Sequence, residues 1–494
     1  MTTSAPAKRR VVFLIATLAG AVLVTVVVAR VYLTGRAIDF ALRRAGATEI
    51  KFQVAQASLW RVVVEDVGLL MQLEPLGARR ITLDRPHWWT PSLGALRVEG
   101  ARAQVPLAAL AAPRTPSQPA EPRGPVRLPF EEISIDGQLV IQAAGQTDQA
   151  LTVAIQARPA GEAAWAGTAQ VTGPGLEMKG EATYDLASGD LAFKVPEAKL
   201  ELKPWQGFLR QLLPEPATDW EMEGKFSGRA EGRVTANKVT GGGTVQLREG
   251  RAVSVDQTVT AEGIEADLEF TDFDAWVTKP GTLRVREVRT GKLTLNELHG
   301  EFAFAGPDRV AIAQASLRAL GGRVSAEPFE LTPGENVLDA VLRVEGISVE
   351  QVMALTKDLP AKATGRVNGR VPVHLDSGGF RFGTGWLELN PGDRAEIEFN
   401  AKGLLTGGVA PGNPRYAVLQ KIESGLLKLL INELRLDIRP ADAPGDRSAR
   451  LHLKGQPVDP EVKAPVILDL NVNGPLEKLL NMGMDSRLSI GTKP

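Results

Sequence analysis

The sequence predicts a mostly β protein, with an N-terminal transmembrane helix ahead of a long, one-sided antiparallel β-sheet and a few short helices. Three observations predict it. Val11–Ala29 is a charge-free apolar run. Downstream of Phe52 apolar and polar residues alternate with period two, as they do along a strand with one greasy and one polar face. Gly (50) and Pro (33) together make about a sixth of the 494 residues, against an average nearer ~12%, which suits many short strands joined by turns.

Composition narrows the function classes. With 44% hydrophobic residues in a regular pattern, the chain is not disordered. A net charge of −1 gives no bulk electrostatic case for nucleic acid. Cysteine is absent, which excludes disulfides and thiolate chemistry and is compatible with an oxidising compartment.

In chain order, Lys8-Arg9-Arg10 precede the apolar run, whose Val11, Phe13, Leu14, Leu18, Leu23, Val27 and Ala29 would face lipid. Such a helix is roughly 28 Å long, close to the ~30 Å hydrocarbon core. A cleaved signal peptide is the rival reading. Cleavage after Ala19-Gly20-Ala21 would expose Val22–Val28, so a retained anchor is preferred. Arg30, Arg36, Arg43 and Arg44 nearly balance the N-terminal basic cluster, and the short tail is the part expected to stay in the cytoplasm. The tail and anchor occupy 1–32.

Residues 33–112 form a membrane-proximal β region. It opens with an amphipathic helix over Leu33–Arg44, followed by strands over Trp60–Leu70, Arg79–Leu83 and Leu96–Leu107. Residues 113–129 carry Pro113, Pro116, Pro119, Pro122, Pro125 and Pro129, a spacing that supports neither a helix nor a central strand, so they read as a loop or linker. Residues 130–494 form the elongated sheet, with turns at Ser188-Gly189-Asp190, Lys279-Pro280-Gly281 and Pro333-Gly334-Glu335. Short helices are expected at Pro204–Leu213, at Ser348–Leu355 with Ser348 as cap, at Arg415–Leu430 and at Pro475–Met482. Pro372 cannot donate a ladder hydrogen bond, which predicts a break or bulge in its strand.

The clearest meander is Ala363–Gly392. Val371, Val373 and Leu375 alternate with Pro372, His374 and Asp376; Phe380 and Phe382 flank Arg381; Leu387 and Leu389 flank Glu388. Leu317–Leu331 (LRALGGRVSAEPFEL), Leu342–Leu355 (LRVEGISVEQVMAL) and Gly365–Gly392 follow one another in an order that resembles the YdbH-like branch of the AsmA-like (TamB/AsmA/YhdP-type) bridge-like lipid-transfer proteins. Gly365, Gly369, Val371-Pro372-Val373, Gly378-Gly379, Gly385 and Pro391-Gly392 carry the most specific part. Leu434–Ile438, Leu451–Gly455 and Pro465–Leu480 resemble the family's closing strands.

The resemblance implies an inner-membrane, single-pass protein with a large periplasmic domain in a Gram-negative cell envelope. Its sheet would be curled into a β-taco whose inner face is a hydrophobic groove for phospholipid acyl chains. It also implies intermembrane phospholipid transport, with a small outer-membrane lipoprotein or other envelope component at the C-terminal end. The expected groove residues are Ile264, Leu268, Phe270, Leu283, Val285, Leu293, Leu295, Phe302, Phe304, Leu342, Val371, Val373, Leu375, Phe380, Phe382, Leu387, Leu389, Leu436, Leu451, Leu453, Leu468 and Leu470. About 30 strands at ~4.8 Å spacing would make a sheet ~140 Å long.

No reaction centre is legible, so no enzyme activity and no cofactor are expected. His87, His299, His374 and His452 are far apart and lack metal-ligand spacing. Gly241–Gly243 lack the context of a phosphate cradle. Glu65-Asp66 and Glu131-Glu132 read as polar-face or turn residues, and Trp88-Trp89 after His87, between Pro86 and Pro91, as packing under a loop, with a place at a groove rim near lipid headgroups the alternative. A soluble β-sandwich would alternate in the same way. The low aromatic content, 5%, and the unbroken run of strands favour a groove. An envelope scaffold that assists outer-membrane protein assembly by β-augmentation is the alternative function, and an anchored hydrolase a third.

Overall fold

The computed structural model describes residues 31–473 apart from 41, 44–46, 72–73, 86–92, 108–128, 162, 213–219, 236–237, 292, 333–336, 356–360, 377–378, 400–405, 441–446, 461 and 463. The expected transmembrane residues Val11–Ala29, the pair Trp88-Trp89, most of the Pro-rich stretch and the helix expected at Pro475–Met482 all lie outside the described residues. Among those described, no helix is long and apolar enough to cross a membrane. The chain is mostly β, and it divides into two compact units, Met1–Leu212 with Gly228–Gly241, and Leu213–Ser227 with Gly242–Pro494.

The first unit begins with helical turns at 31–40 and 42–43. Strands β1 (Ala47–Ala57), β2 (Arg61–Met71), β3 (Glu74–Asp84) and β4 (Leu93–Pro106) pair antiparallel in sequence. The next, β5 (Phe130–Gln142), pairs parallel with β4, from Leu93 opposite Phe130 to Pro106 opposite Gln142. This departs from the antiparallel expectation. A parallel neighbour requires a crossover of a dozen or more residues, and the chain between Pro106 and Phe130, with its prolines, is long enough to make it. Strands β6 (Gln149–Pro159), β7 (Ala164–Gly173), β8 (Leu176–Asp185) and β9 (Leu191–Glu201) continue antiparallel. A 3₁₀ turn at Lys203–Trp205 leads into α1 (Gln206–Leu212), and Phe208 of α1 packs with Leu107, Ile141 and Leu151. Strands β10 (Trp220–Val234) and β11 (Val239–Ser254) each contribute residues to both units.

In the second unit β12 (Val259–Asp272), β14 (Gly281–Thr290), β15 (Leu293–Gly306) and β16 (Arg309–Ala319) form an antiparallel meander, with the two-residue strand β13 (Val277–Thr278) wedged between the ends of β12 and β15. Strand β16 is followed by β17 (Gly322–Ala326), β18 (Phe329–Leu331) and β19 (Leu338–Ser348). Helix α2 (Val349–Leu355) starts as expected at Ser348, whose Oγ accepts the Gln351 N–H at 3.3 Å. Then come β20 (Ala361–Ala363), β21 (Arg366–Asp376), β22 (Gly379–Phe382), β23 (Gly385–Leu389), β24 (Ala395–Phe399), α3 (Tyr416–Leu427), β25 (Lys428–Ile438), β26 (Arg447–Pro457) and β27 (Val466–Asn473).

Two expectations are corrected. The helix expected to reach Leu430 stops at Leu427, because Leu429 and Ile431 alternate into the core as part of β25. The bulge expected at Pro372 is absent from β21, whose register against β19 runs unbroken from Leu338–Leu375 to Val344–Gly369. The interruption lies in the next strand instead. β22 pairs with Val373–Asp376 and β23 with Val367–Arg370, and the gap between β22 and β23 falls beside Pro372. There the missing N–H of Pro372 needs no acceptor, while its carbonyl accepts the Gly383 N–H at 2.8 Å.

One device recurs in both units. Several long strands carry a mid-strand slip of the two-residue period. In β2 the inward residues are Val62 and Val64, then Val67 and Leu69, and Asp66 between them has φ 52. In β4 Val98 and Ala101 lie on either side of Gly100 at φ 64; in β12 Ala261 and Ile264 on either side of Gly263 at φ 66; in β15 Leu295 and Leu298 on either side of Glu297 at φ 50. A left-handed residue at a bulge consumes one position without turning the strand over, so both halves keep their apolar residues on one face while the strand bends. At Gly263 the choice of residue is forced twice, since a Cβ there would also meet the Arg286 Cβ at 2.8 Å.

Candidate functional site: the apolar face of the second unit

The register assembles the expected residues on a single face. Ile264 lies opposite Val285, Leu283 opposite Gly300, and Val288 opposite Leu295. Phe302 lies opposite Ile312 and Phe304 opposite Val310. Leu317 faces Val324, which faces Val344; Leu342 faces Val371. Val373 faces Phe382, Leu387 faces Leu436, Leu436 faces Leu451, and Leu451 and Leu453 face Leu470 and Leu468. Leu268 faces Val245, Phe270 faces Gly243, Leu293 faces Thr290, and Leu389 faces Val367. For Phe380 the backbone pairing with Leu375 is described and the side chain is not.

Exposure along this face is graded. Between β12 and β19 most of its side chains are half-buried, while Val285 at 7%, Val310 at 8% and Ala340 at 7% exposed are buried. A recess of ≈ 350 Å³ opens there, lined by Leu283, Leu298, Phe302, Ile312, Leu317, Val324, Phe329 and Leu342 among others. Toward β24–β27 the face closes. Leu429 and Leu453, both 0% exposed, pack with Ala363, Ala395, Ile397 and Ile431, and Val349 and Met353 at α2 pack against them. Leu453, expected in the groove, is therefore a core residue, with Leu389 and Leu468 against the same cluster. Val371 at 5% and Val373 at 6% exposed, expected there too, are core residues of a second cluster with Ala340 and Ile438. Leu470, on the last strand, is 41% exposed.

At one end of β12 and β15 the face terminates in aromatic rings. Phe270 and Phe304 stack at 6.5 Å, Phe302 meets Phe304 at 6.0 Å, and Phe273 and Trp276 from the β12–β13 turn approach Phe270 at 5.8 and 6.1 Å. Sequence reasoning found Phe270, Phe302 and Phe304 by alternation. It missed Phe273 and Trp276, which sit in a turn where no period applies, and Val310, Ile312, Ala315 and Leu317, whose strand slips phase at a bulge between Glu301 and Phe302 on its partner.

The opposite face is a ladder of ion pairs. Arg248 meets Asp267 at 2.6 Å, Lys279 meets Glu269 at 2.7 Å, and Lys454 meets Glu433 at 2.7 Å. Glu327 is bracketed by Arg370 at 3.1 Å and Arg343 at 3.0 Å, and hydrogen bonds from Arg370 first and Arg343 second hold its carboxyl below the usual range. His374 pairs with Asp339 and His452 with Asp469 at 3.0 Å, both solvent-facing; His299 lies 3.9 Å from Glu301. Hydrogen bonding from His452 is the chief reason the Asp469 carboxyl lies below its ordinary value. Within the first unit, Glu65 meets Arg80 at 2.6 Å and Glu132 meets Arg158 at 3.0 Å, in line with the polar-face or turn reading of those carboxylates. Among the described residues no group of three or more His, Cys, Asp or Glu is placed to hold a metal ion.

The arrangement defines an amphipathic β-sheet protein: one face offers half-open apolar surface, the other is screened by charge pairs. Residues 190–392, less than half of the chain, form a YdbH-like segment, matching the family model described as intermembrane phospholipid transport protein YdbH. The match contains the Gly365–Gly392 meander and begins well upstream of Leu317, where the resembling motifs start. It ends at Gly392, so Leu434–Leu480 lie beyond it. No curated protein and no solved structure matches the chain.

Proposed function

We propose that this protein is a non-enzymatic, inner-membrane-anchored periplasmic bridge that carries phospholipids by their acyl chains along the apolar face toward the outer membrane. The observation that carries the reading is the one-sided, half-open apolar face of β12–β19, inside the YdbH-like segment. An acyl chain needs a continuous aliphatic surface with no polar group demanding a partner, and Leu283, Leu298, Ile312, Leu317 and Leu342 supply it. The apolar run Val11–Ala29 supports the anchor. Among the described residues β27 pairs only with β26, so its free edge supports a strand-adding envelope component at that end.

The test is a double charge, Leu283→Asp with Leu317→Asp, against Thr294→Asp, which puts a carboxylate on the polar face. The first pair is expected to abolish complementation of an intermembrane lipid-transport defect while leaving protein level and melting temperature near wild type. Full complementation by the double variant would rule the conduit out.

A further inference from the structure

We infer that Trp276 is the rim residue at which an amphiphile passes between the apolar face and its surroundings, its indole lying against the junction of acyl chain and polar headgroup. The inference rests on the lipid-carrying reading and adds a place where ligand is contacted at its polar–apolar boundary.

Trp276 stands in a backbone conformation that a bulky residue rarely adopts, φ 51. Such a conformation persists only where its surroundings over-determine it, and here they do. Asp272 Oδ1 accepts the Asp274 and Ala275 N–H groups at 2.9 and 3.2 Å, fixing the turn before it. After it, β13 is clamped from both sides. Thr271 Oγ1 donates to the Val277 carbonyl at 3.2 Å, and the buried Thr278 Oγ1 accepts the Phe304 N–H at 2.9 Å.

This frame sets the indole edge-on to Phe270 at 6.1 Å and to Phe304 at 6.3 Å, both members of the apolar face. Yet Trp276 is 49% exposed, and its Nε1–H has no partner among the described residues. Trp205 differs: its Nε1–H donates to the Pro174 carbonyl at 2.8 Å. A strained, rigidly held, half-exposed tryptophan with a free donor at the end of an aliphatic surface suits an interface that is apolar on one side and wet on the other. Tryptophan is favoured at such boundaries because its ring is apolar and its N–H can reach an ester or phosphate oxygen.

The experiment uses the full chain in the cell envelope, carrying a photoreactive side chain at one position per strain: Trp276→p-benzoylphenylalanine, the same substitution at Val255, and the same at Leu283. Val255 is the control for exposure alone, being 57% exposed in the turn at the other end of β12. Leu283 reports whether the face holds lipid at all. Mass spectrometry of the adducts is expected to find phospholipid at 276 and 283, with several-fold less at 255. Lipid at 283 with no more at 276 than at 255 overturns the rim assignment and leaves the conduit standing. Lipid at none of the three overturns the conduit and the rim together. As a folding check, Trp276→Gly should melt no lower than Trp276→Ala, because glycine takes positive φ without strain.

Discussion

Gly263 and Glu297 share one backbone conformation for different reasons. Glycine adopts positive φ freely, whereas a glutamate there stores strain, and both serve to carry an apolar face across a bend. Gly263→Ala should therefore destabilise the protein by ~1–3 kcal/mol, adding backbone strain to the clash with Arg286. Gly68→Ala, at a strand glycine with no neighbour within 4 Å of its would-be Cβ and an ordinary φ, should be neutral or stabilising by up to ~1 kcal/mol. Thermal melts of the two variants separate the effects. Charge at the residue scale is equally explicit. Glu327 is held below its ordinary pKa by Arg370 and Arg343, so the folded state binds its proton less readily than the unfolded state. Its contribution is present above about 4.3, the unfolded value, and is lost as pH falls through the lower folded value. The difference in melting temperature between wild type and Glu327→Gln should shrink in that acid window and stay constant from pH 6 to 8.

At the scale of elements, the packing contrast inside one apolar face yields a sharper expectation. Leu453 is fully enclosed and Leu470 is 41% exposed, though both belong to the same run of cross-strand pairs. Leu453→Ala should cost ~2–5 kcal/mol, and Leu470→Ala well under ~1 kcal/mol because its site is already open to water; chemical denaturation measures both. The same elements mark what sequence reasoning could reach. Alternation revealed β12, β14, β15, β19, β21 and β25–β27, where Leu, Val, Ile and Phe recur every second residue. It was weak over Gln149–Asp185, because β6 to β8 are built from Ala, Thr, Gln and Gly, whose two faces differ little in polarity. It could not anticipate the parallel β4–β5 pair, since register between strands joined by a long crossover leaves no local pattern. Leu293 and Leu295 followed by Phe302 and Phe304 change phase in the sequence, and they read as one face only with Glu297 at positive φ between them. Pro372 shows the complementary case: the proline was correctly a point of interruption, but the strand that yields is its neighbour.

Across the whole molecule, the proposed function requires that one face of the second unit meets lipid and the other does not. Its apolar residues were legible from alternation, and the C-terminal part of the YdbH-like segment from the order of degenerate motifs around Gly365–Gly392, while the matched residues upstream of Leu317 carried no motif that sequence reasoning found. Trp276 was not, because a turn residue acquires its place on a face only through the rings it touches. The most direct measurement places the same photoreactive side chain at two adjacent positions of β19 in the full chain: Leu342, which faces Val371 across the apolar side, and Val341, which faces Pro372 on the other. Both are half-buried, so exposure does not distinguish them. Mass spectrometry of the cross-linked material should find phospholipid at Leu342 and little at Val341. Equal lipid capture at the two positions, or protein adducts alone at Leu342, would mean that the apolar face is not the lipid-bearing one.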